Sequence, residues 1–288
     1  MLELSTIQEM KDWSRSVRSG NSRLGLVPTM GFLHDGHLSL VRHSLKKCDR
    51  TVVSIFVNPI QFGPCEDLDS YPIDLEQDIK LLADIGVDAV FVPQRDELVP
   101  QDLDTFVEVK NLTEHLCGKS RPELFRGVTT IVLKLFHIVQ PDLAIFGEKD
   151  RQQLEVIRKM VLDLNLDVEV TGLPIARESD GIAKSSRNTY LNAEERISAR
   201  SLVRALESGR SLILNGETSA DIVKNEMRSV IKSQAGTQID YISVCDPKRF
   251  GEINQIENSV MLALAVHIGK ARLIDNCLVE KSPCKEPC

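Results

Sequence analysis

The string His34-Asp35-Gly36-His37 lies between an apolar run at 24–27 and a helically spaced set, Leu38, Leu40, Val41 and Leu45, so it sits where a strand gives way to a helix. At such a junction the unpaired backbone N–H groups and the positive end of the helix face a ligand, which suits a phosphate. Gly31 and Gly36 remove side chains where a nucleotide must approach the backbone, and His34 and His37 can reach the same phosphate oxygens and stabilise charge developing at an α-phosphate. Taken alone, an H-x-G-H string is more often two solvated loop histidines, so the surrounding chain must decide. Gln61, in Asn58-Pro59-Ile60-Gln61-Phe62, follows a second apolar run and can both donate and accept toward a substrate with hydroxyl and carboxylate groups. Gly147-Glu148-Lys149-Asp150 repeats the strand-loop-helix arrangement with a lysine suited to phosphate charge, and Gln153 lies one turn beyond Asp150, toward the same crevice. Lys184-Ser185-Ser186-Arg187-Asn188 places hydroxyls and a guanidinium where they could hold a triphosphate and compensate charge as pyrophosphate leaves; a plain serine-rich linker is the alternative.

The elements that must position these residues follow from patterning. Through the first half, short β-branched runs alternate with amphipathic stretches, the signature of parallel strands joined by crossover helices. Strands are expected at 24–27, 52–57, 89–92, 143–146 and 168–171, and helices at 75–85, 128–139 and 151–161. Asp74 and Gln77 are spaced for a capping box before the first of these helices, and Gly86 for its stop. Loops leaving 24–27, 52–57 and 143–146 would share the carboxyl edge of the sheet, where ligands collect in open α/β folds. Between 171 and 192 the periodicity lapses into Gly, Pro, Ser and charged residues; beyond it, helices at 193–214 and 219–233 and strands near 241–244 and 261–267 describe a small α+β module. The expectation is an α/β protein: a Rossmann-like parallel-sheet domain over 1–178, a smaller α+β domain over 179–281 and a flexible tail at 282–288.

Composition narrows the function classes. The 288 residues are 42% hydrophobic and 27% charged with a formal charge of -7, ordinary for a globular chain of two domains. No apolar run approaches the roughly 18 residues a membrane span needs, and acids and bases are mixed, so neither a membrane role nor nucleic-acid binding is expected. The amino terminus lacks the basic-then-apolar plan of an export signal, which points to the cytoplasm. The seven cysteines form no C-x-x-C pair and read as free thiols; Cys284 and Cys288, in a proline-broken tail, make a weak candidate for metal binding.

Pro28-Thr29-Met30-Gly31-Phe32-Leu33-His34-Asp35-Gly36-His37, Val57-Asn58-Pro59-Ile60-Gln61-Phe62, Phe146-Gly147-Glu148-Lys149-Asp150 and Ser185-Ser186-Arg187-Asn188 occur in this order, with Asp69-Ser70-Tyr71-Pro72 and Arg121-Pro122 between them. Together they make the chain resemble the pantothenate synthetase (pantoate:β-alanine ligase) family; any one alone would suggest only the wider H-x-G-H nucleotidyltransferases. The resemblance runs from the amino terminus to Ile274-Asp275-Asn276. It implies an AMP-forming ligase of pantothenate biosynthesis, in which the pantoate carboxylate attacks the α-phosphate of ATP, pyrophosphate leaves, and the amine of β-alanine displaces AMP from a bound pantoyl adenylate. By the same resemblance Met30, Gly31, Phe32, Leu33, His34, Asp35, Gly36 and His37 bind ATP, with His37 in the acid or charge-stabilising role and His34 its partner. Gln61 and Gln153 hold pantoate, and Gln61 also borders the β-alanine position. Gly147, Glu148, Lys149 and Asp150 carry ATP with Lys149 on the phosphates, Ala176 meets adenine through its backbone, and Lys184, Ser185, Ser186 and Arg187 close over the triphosphate. His37, His34, Lys149 and Arg187 form the implied catalytic set. Magnesium is expected on the phosphates without a protein cage, and a homodimer through the N-terminal domain.

Two departures from the family pattern stand out. Lys184 replaces the usual Met, adding a cation beside the phosphate loop, with tighter ATP or slower pyrophosphate release the expected consequence. Arg121-Pro122-Glu123-Leu124-Phe125 replaces the commoner Arg-Pro-Gly-His-Phe, removing an imidazole and a flexible glycine. Two other functions compete: nucleotidyl transfer to a phosphorylated substrate, which needs no amine, and a non-catalytic ATP-binding regulator, against which the presence of His34, His37, Lys149 and Arg187 argues.

Overall fold

The computed structural model describes residues 1–64 and 66–280. Cys65 and the tail, including Cys284 and Cys288, lie outside the described residues. The chain divides into two compact units: Met1–Thr113 with Arg121–Ala176, and Glu114–Ser120 with the chain from Arg177 onward.

The elements of the first stretch run β1 (Leu2–Leu4), α1 (Ile7–Ser19), β2 (Leu24–Thr29), α2 (Asp35–Lys47), β3 (Arg50–Ile55), α3 (Leu75–Asp84), β4 (Ala89–Phe91) and α4 (Arg95–Leu98). After α5 (Leu116–Ser120), which belongs to the second unit, come α6 (Leu124–Val139), β5 (Leu143–Gly147), α7 (Arg151–Asp163) and β6 (Glu169–Leu173). The strands of the first unit form one parallel sheet in the order β1-β4-β3-β2-β5-β6. Helices on a parallel sheet cover it, which is why its central strands read as unbroken apolar runs; Leu24, Leu26, Val27, Val52, Val53, Val90 and Ile145 are all fully buried. Val27, Val53 and Ile145 pack with Leu40 and Val41 of α2 and Leu82 of α3 in one core.

The sheet has six strands where patterning gave five: β1 is three residues long and takes its place by pairing Leu2 with Ala89 and Leu4 with Phe91. Asp74 caps α3 by accepting from the backbone N–H of Gln77, and Gly86 follows its end at φ 85°; the reciprocal bond from the Gln77 side chain is not formed among the described residues.

The second unit contains α8 (Ala193–Leu214), α9 (Ala220–Lys232) and the antiparallel sheet β7-β8-β9, over Thr237–Cys245, Val260–Ile268 and Ala271–Val279. Leu202 and Leu206 of α8 and Val223 and Met227 of α9 bury against Leu262 and Leu264 of β8. The strand absent from the sequence reading is β9. Its inward positions include Asp275, which is 3% exposed and held by two bonds from Arg177, at 2.7 and 3.0 Å, so the apolar alternation is broken. Among the described residues no helix is long and apolar enough to cross a membrane, and Cys48, Cys117, Cys245 and Cys277 are free thiols.

Candidate active site

Adjacent parallel strands β3, β2 and β5 release their chains at one edge of the first unit's sheet, and the loop after β2 is the most constrained of the three. Thr29 closes β2 with its hydroxyl donating to Ser54 O at 2.8 Å and accepting from Gly31 N at 3.2 Å. The chain then passes through two left-handed residues, Gly31 at φ 82° and Phe32 at φ 51°. Glycine takes that conformation freely and phenylalanine does not. The backbone N–H groups of Phe32 and Leu33 each donate at 2.7 Å to one oxygen of Asp78. Burial raises the Asp78 carboxyl above the ordinary carboxylate range, although both N–H bonds favour its charged form.

His34 caps α2, its Nδ1 accepting at 3.4 Å from the backbone N–H of His37. An accepting Nδ1 leaves the proton of a neutral His34 on Nε2. The two imidazoles stack with centroids 4.0 Å apart and planes at 14°. Gly36 makes the stack possible: a Cβ there would lie 2.9 Å from the His34 ring, and it would stand 3.5 Å from the Cβ of Ala176, the residue expected at adenine. The Nδ1 of His37 is buried without a hydrogen-bond partner. Burial, then the charges of His34 and Lys149, push the His37 imidazole down to about 3.

After β3, Asn58 is 3% exposed and uses its amide NH₂ twice, donating to Gln61 Oε1 at 3.0 Å and to Gly127 O at 3.1 Å. With its oxygen so engaged, Gln61 donates from Nε2 to Met30 Sδ at 2.9 Å. Arg121 donates to the carbonyl of the same residue, Gln61 O, at 3.2 Å and pairs with Glu66 at 2.5 Å. After β5, Gly147 leads into Glu148, Lys149 and Asp150, with Lys149 Nζ 3.8 Å from Asp150 and Glu148 bridged to Arg151 at 3.2 Å. Gln153 is half-buried in the first turn of α7, while its neighbour Gln152 is buried and donates to Leu112 O at 2.8 Å.

Met30 to His37, Gln61, Gly147 to Asp150, Gln153 and Ala176 all belong to one unit, in which the contacts above join Met30 to Gln61, the Phe32–Leu33 backbone to Asp78, and His34 to His37. Lys184, Ser185, Ser186 and Arg187 belong to the other. There Ser185 accepts from Arg187 N at 3.3 Å to start a 3-10 turn. Asn188 donates to Glu178 at 2.6 Å and to Ala183 O at 3.1 Å, and Arg196 grips Glu178 and Asp180 at 2.5 and 2.9 Å. Burial opposes ionisation of Glu178, but the bonds from Arg196 and Asn188 outweigh it and hold its carboxyl below the usual range.

Sequence reasoning passed over Asp78, Asn58 as a side-chain donor, and Glu178. Each acts on a loop through a hydrogen bond that only the folded chain reveals. Among the described residues no group of three or more His, Cys, Asp or Glu is placed to hold a metal ion.

The family model described as pantoate-beta-alanine ligase matches residues 3–278. A pantothenate synthetase of Caldicellulosiruptor bescii is 52% identical over 97% of this chain and 99% of its own length, and one of Thermosipho africanus 50% identical over 97% and 100%. The crystal structure of a pantothenate synthetase from Thermus thermophilus matches with a TM-score of 0.90 at 40% identity, covering 96% of this chain and 99% of that one. That of a pantoate-beta-alanine ligase from Francisella tularensis, complexed with beta-gamma ATP and beta-alanine, matches at 0.80 and 33% identity over 98% and 99%.

Proposed function

Because the chain belongs to the pantoate-β-alanine ligase family, we propose that it condenses pantoate with β-alanine at the expense of ATP, through a pantoyl adenylate, releasing pyrophosphate and then AMP. The observation that carries this reading is the stacked His34–His37 pair at the amino end of α2, with a buried, unpartnered His37 Nδ1 beside the charge of Lys149. The crystallised relative from Francisella tularensis, complexed with beta-gamma ATP and beta-alanine, supports the choice of two of the three substrates.

A carboxylate oxygen of pantoate attacks the α-phosphorus and the bond to the β-phosphate oxygen breaks. Charge grows on the equatorial and leaving oxygens, which is where preorganised donors gain most over water. The N–H groups opening α2, the positive helix end and Lys149 supply that field from the first unit. A neutral imidazole donates a hydrogen bond without first losing a strong anionic partner, and the arriving triphosphate raises its basicity by opposing the field that now lowers it. Ser185, Ser186 and Arg187, with the added cation of Lys184, compensate charge on the departing pyrophosphate. The NH₂ of Gln61, which meets Met30 Sδ in the free protein, binds an oxygen of pantoate, with Gln153 as its second contact, and Ala176 meets the adenine. ATP enters as its magnesium complex, with the metal on the phosphates. In the second step the deprotonated amine of β-alanine attacks the acyl carbon, and AMP leaves with the oxygen that came from the carboxylate.

Mass spectrometry of a reaction containing ATP, β-alanine and ¹⁸O-carboxyl pantoate should find pantothenate and one ¹⁸O in AMP. Formation of ADP and labelled phosphate would replace the adenylate with an acyl phosphate. Nucleotide transfer to a phosphate ester without an amine would favour the nucleotidyltransferase reading instead.

A further inference from the structure

We propose that Asp78 is the positioning residue of the nucleotide loop: from α3 its carboxylate holds the Gly31–Phe32 turn in the left-handed conformation that sets His34 and His37 at the start of α2. The inference rests on the functional reading above, since it assigns a task within the ATP site. Asp78 is 2% exposed, and among the described residues it has no ion pair. A carboxylate without a cation is costly to bury, so its compensation must come from hydrogen bonds. Both oxygens find them in the loop, 45 and 46 residues earlier in the chain, at Leu33 and Phe32.

The turn needs that grip. Phe32 at φ 51° occupies a region where a bulky side chain is strained, and such conformations persist only where the surroundings over-determine them. Gly31 is equally hemmed in: a Cβ there would stand 3.0 Å from Ile55 and 3.1 Å from Asp78 Oδ2. Two residues after the turn, His34 must arrive with extended backbone, φ -134° and ψ 172°, to cap α2 and stack on His37. If Phe32 relaxes to an ordinary φ, the chain leaves β2 in another direction and the cap, the stack and Met30 shift together. Met30 also touches Gln61, so the same turn fixes the border between the nucleotide and pantoate positions.

Asp78→Asn keeps the size of the side chain but turns one acceptor into a donor that faces a backbone N–H, so one bond is lost and a repulsion added. Binding of a non-hydrolysable β,γ-ATP analogue, followed by calorimetry below the melting temperature, should weaken at least tenfold, with a parallel rise in the KM for ATP. Asp74→Ala is the control. It removes the cap of α3 and lowers the melting temperature without touching the loop, and analogue affinity should stay within twofold of the parent. An Asp78→Asn protein that binds like the parent, or affinity that follows melting temperature alike in both variants, would overturn the proposal. Should Asp78→Asn fail to fold, amide exchange in the parent decides: protected Phe32 and Leu33 amides are expected, and free exchange at both would overturn it. Analogue binding needs no turnover, so a parent that binds it yet makes no pantothenate would sink the ligase reading alone.

Discussion

His37 is neutral near pH 7, its imidazole pushed down to about 3 by burial and by the charges of His34 and Lys149. This neutrality has a thermodynamic signature. An unfolded chain binds a proton at His37 near pH 6.5, whereas the folded chain refuses it until about pH 3. Above pH 6.5 both states carry a neutral ring and stability gains nothing from this group. Below it the unfolded state holds the extra proton, so stability falls with acid by up to about 1.4 kcal/mol per pH unit. Urea unfolding between pH 6 and 4.5 should therefore show a steeper loss in the parent than in His37→Gln, by ~2 kcal/mol across the interval; identical slopes would mean that His37 titrates normally. The places of His34, His37, Lys149 and Gln61 after strands were legible from sequence because apolar runs mark β2, β5 and β3 ahead of them. Asp78 was not, since an acid among Leu75, Ile79 and Leu82 on an amphipathic helix reads as part of its wet face. Burial by a loop 45 residues away reverses that reading.

Helix α6 shows how an element outside the strand-end loops can fix one of them, the Pro59–Gln61 turn after β3. Patterning placed its start at 128, but the helix begins at Leu124 and carries Gly127 in its first turn. A Cβ at that glycine would lie 2.2 Å from Ile60 O and 2.7 Å from Gln61 N, so α6 and the Pro59–Gln61 turn meet backbone to backbone. The Asn58 amide spans the same contact, with one bond to each side. Gly127→Ala must push the turn away, an overpacking cost of ~1–3 kcal/mol set against up to about 1 kcal/mol of better helix propensity. Its effect on kinetics should be selective: the KM for pantoate rises at least tenfold while that for ATP changes less than threefold. Steady-state kinetics with each substrate varied in turn would reveal it, and an unaltered pantoate KM would show that Gln61 does not depend on this contact. Helices and central strands were readable because burial on both faces writes itself as long apolar runs. The edges were not: β1 has three residues, and β9 spends an inward position on the Arg177–Asp275 pair.

At the scale of the whole chain, the second unit is assembled from two separated stretches, because Glu114–Ser120 leaves the first unit and returns to it at Arg121. Leu116 and Cys117 of α5 are buried, and Leu116 accepts a left-handed φ of 47°. Cys117 Sγ lies 3.3 Å from Tyr241 Oη, and both terminal nitrogens of Arg272 lie 3.7 Å from the same sulfur. Arg272 also donates to Ser120 at 3.2 Å and to Asp240 at 2.7 Å, with its guanidinium 5.9 Å from the Tyr241 ring. These bonds tie α5 to β7 and β9 in a way no periodicity over five residues could announce. A protein begun at residue 177 keeps α8, α9 and the three strands but loses α5, so water replaces the thiol and hydroxyl around Tyr241 and Arg272. Tyr241→Phe should then cost about 1 kcal/mol in the intact chain, the usual net worth of a hydrogen bond, and close to nothing in the shortened one. Amide exchange of β8 gives the stability of this unit in both contexts, and the two single changes and their combination close a double-mutant cycle. Equal costs for Tyr241→Phe with and without Glu114–Ser120 would show that α5 rests against the second unit without stabilising it. A coupling of the expected size would mean that the unit is complete only when an earlier stretch of the chain has been lent to it.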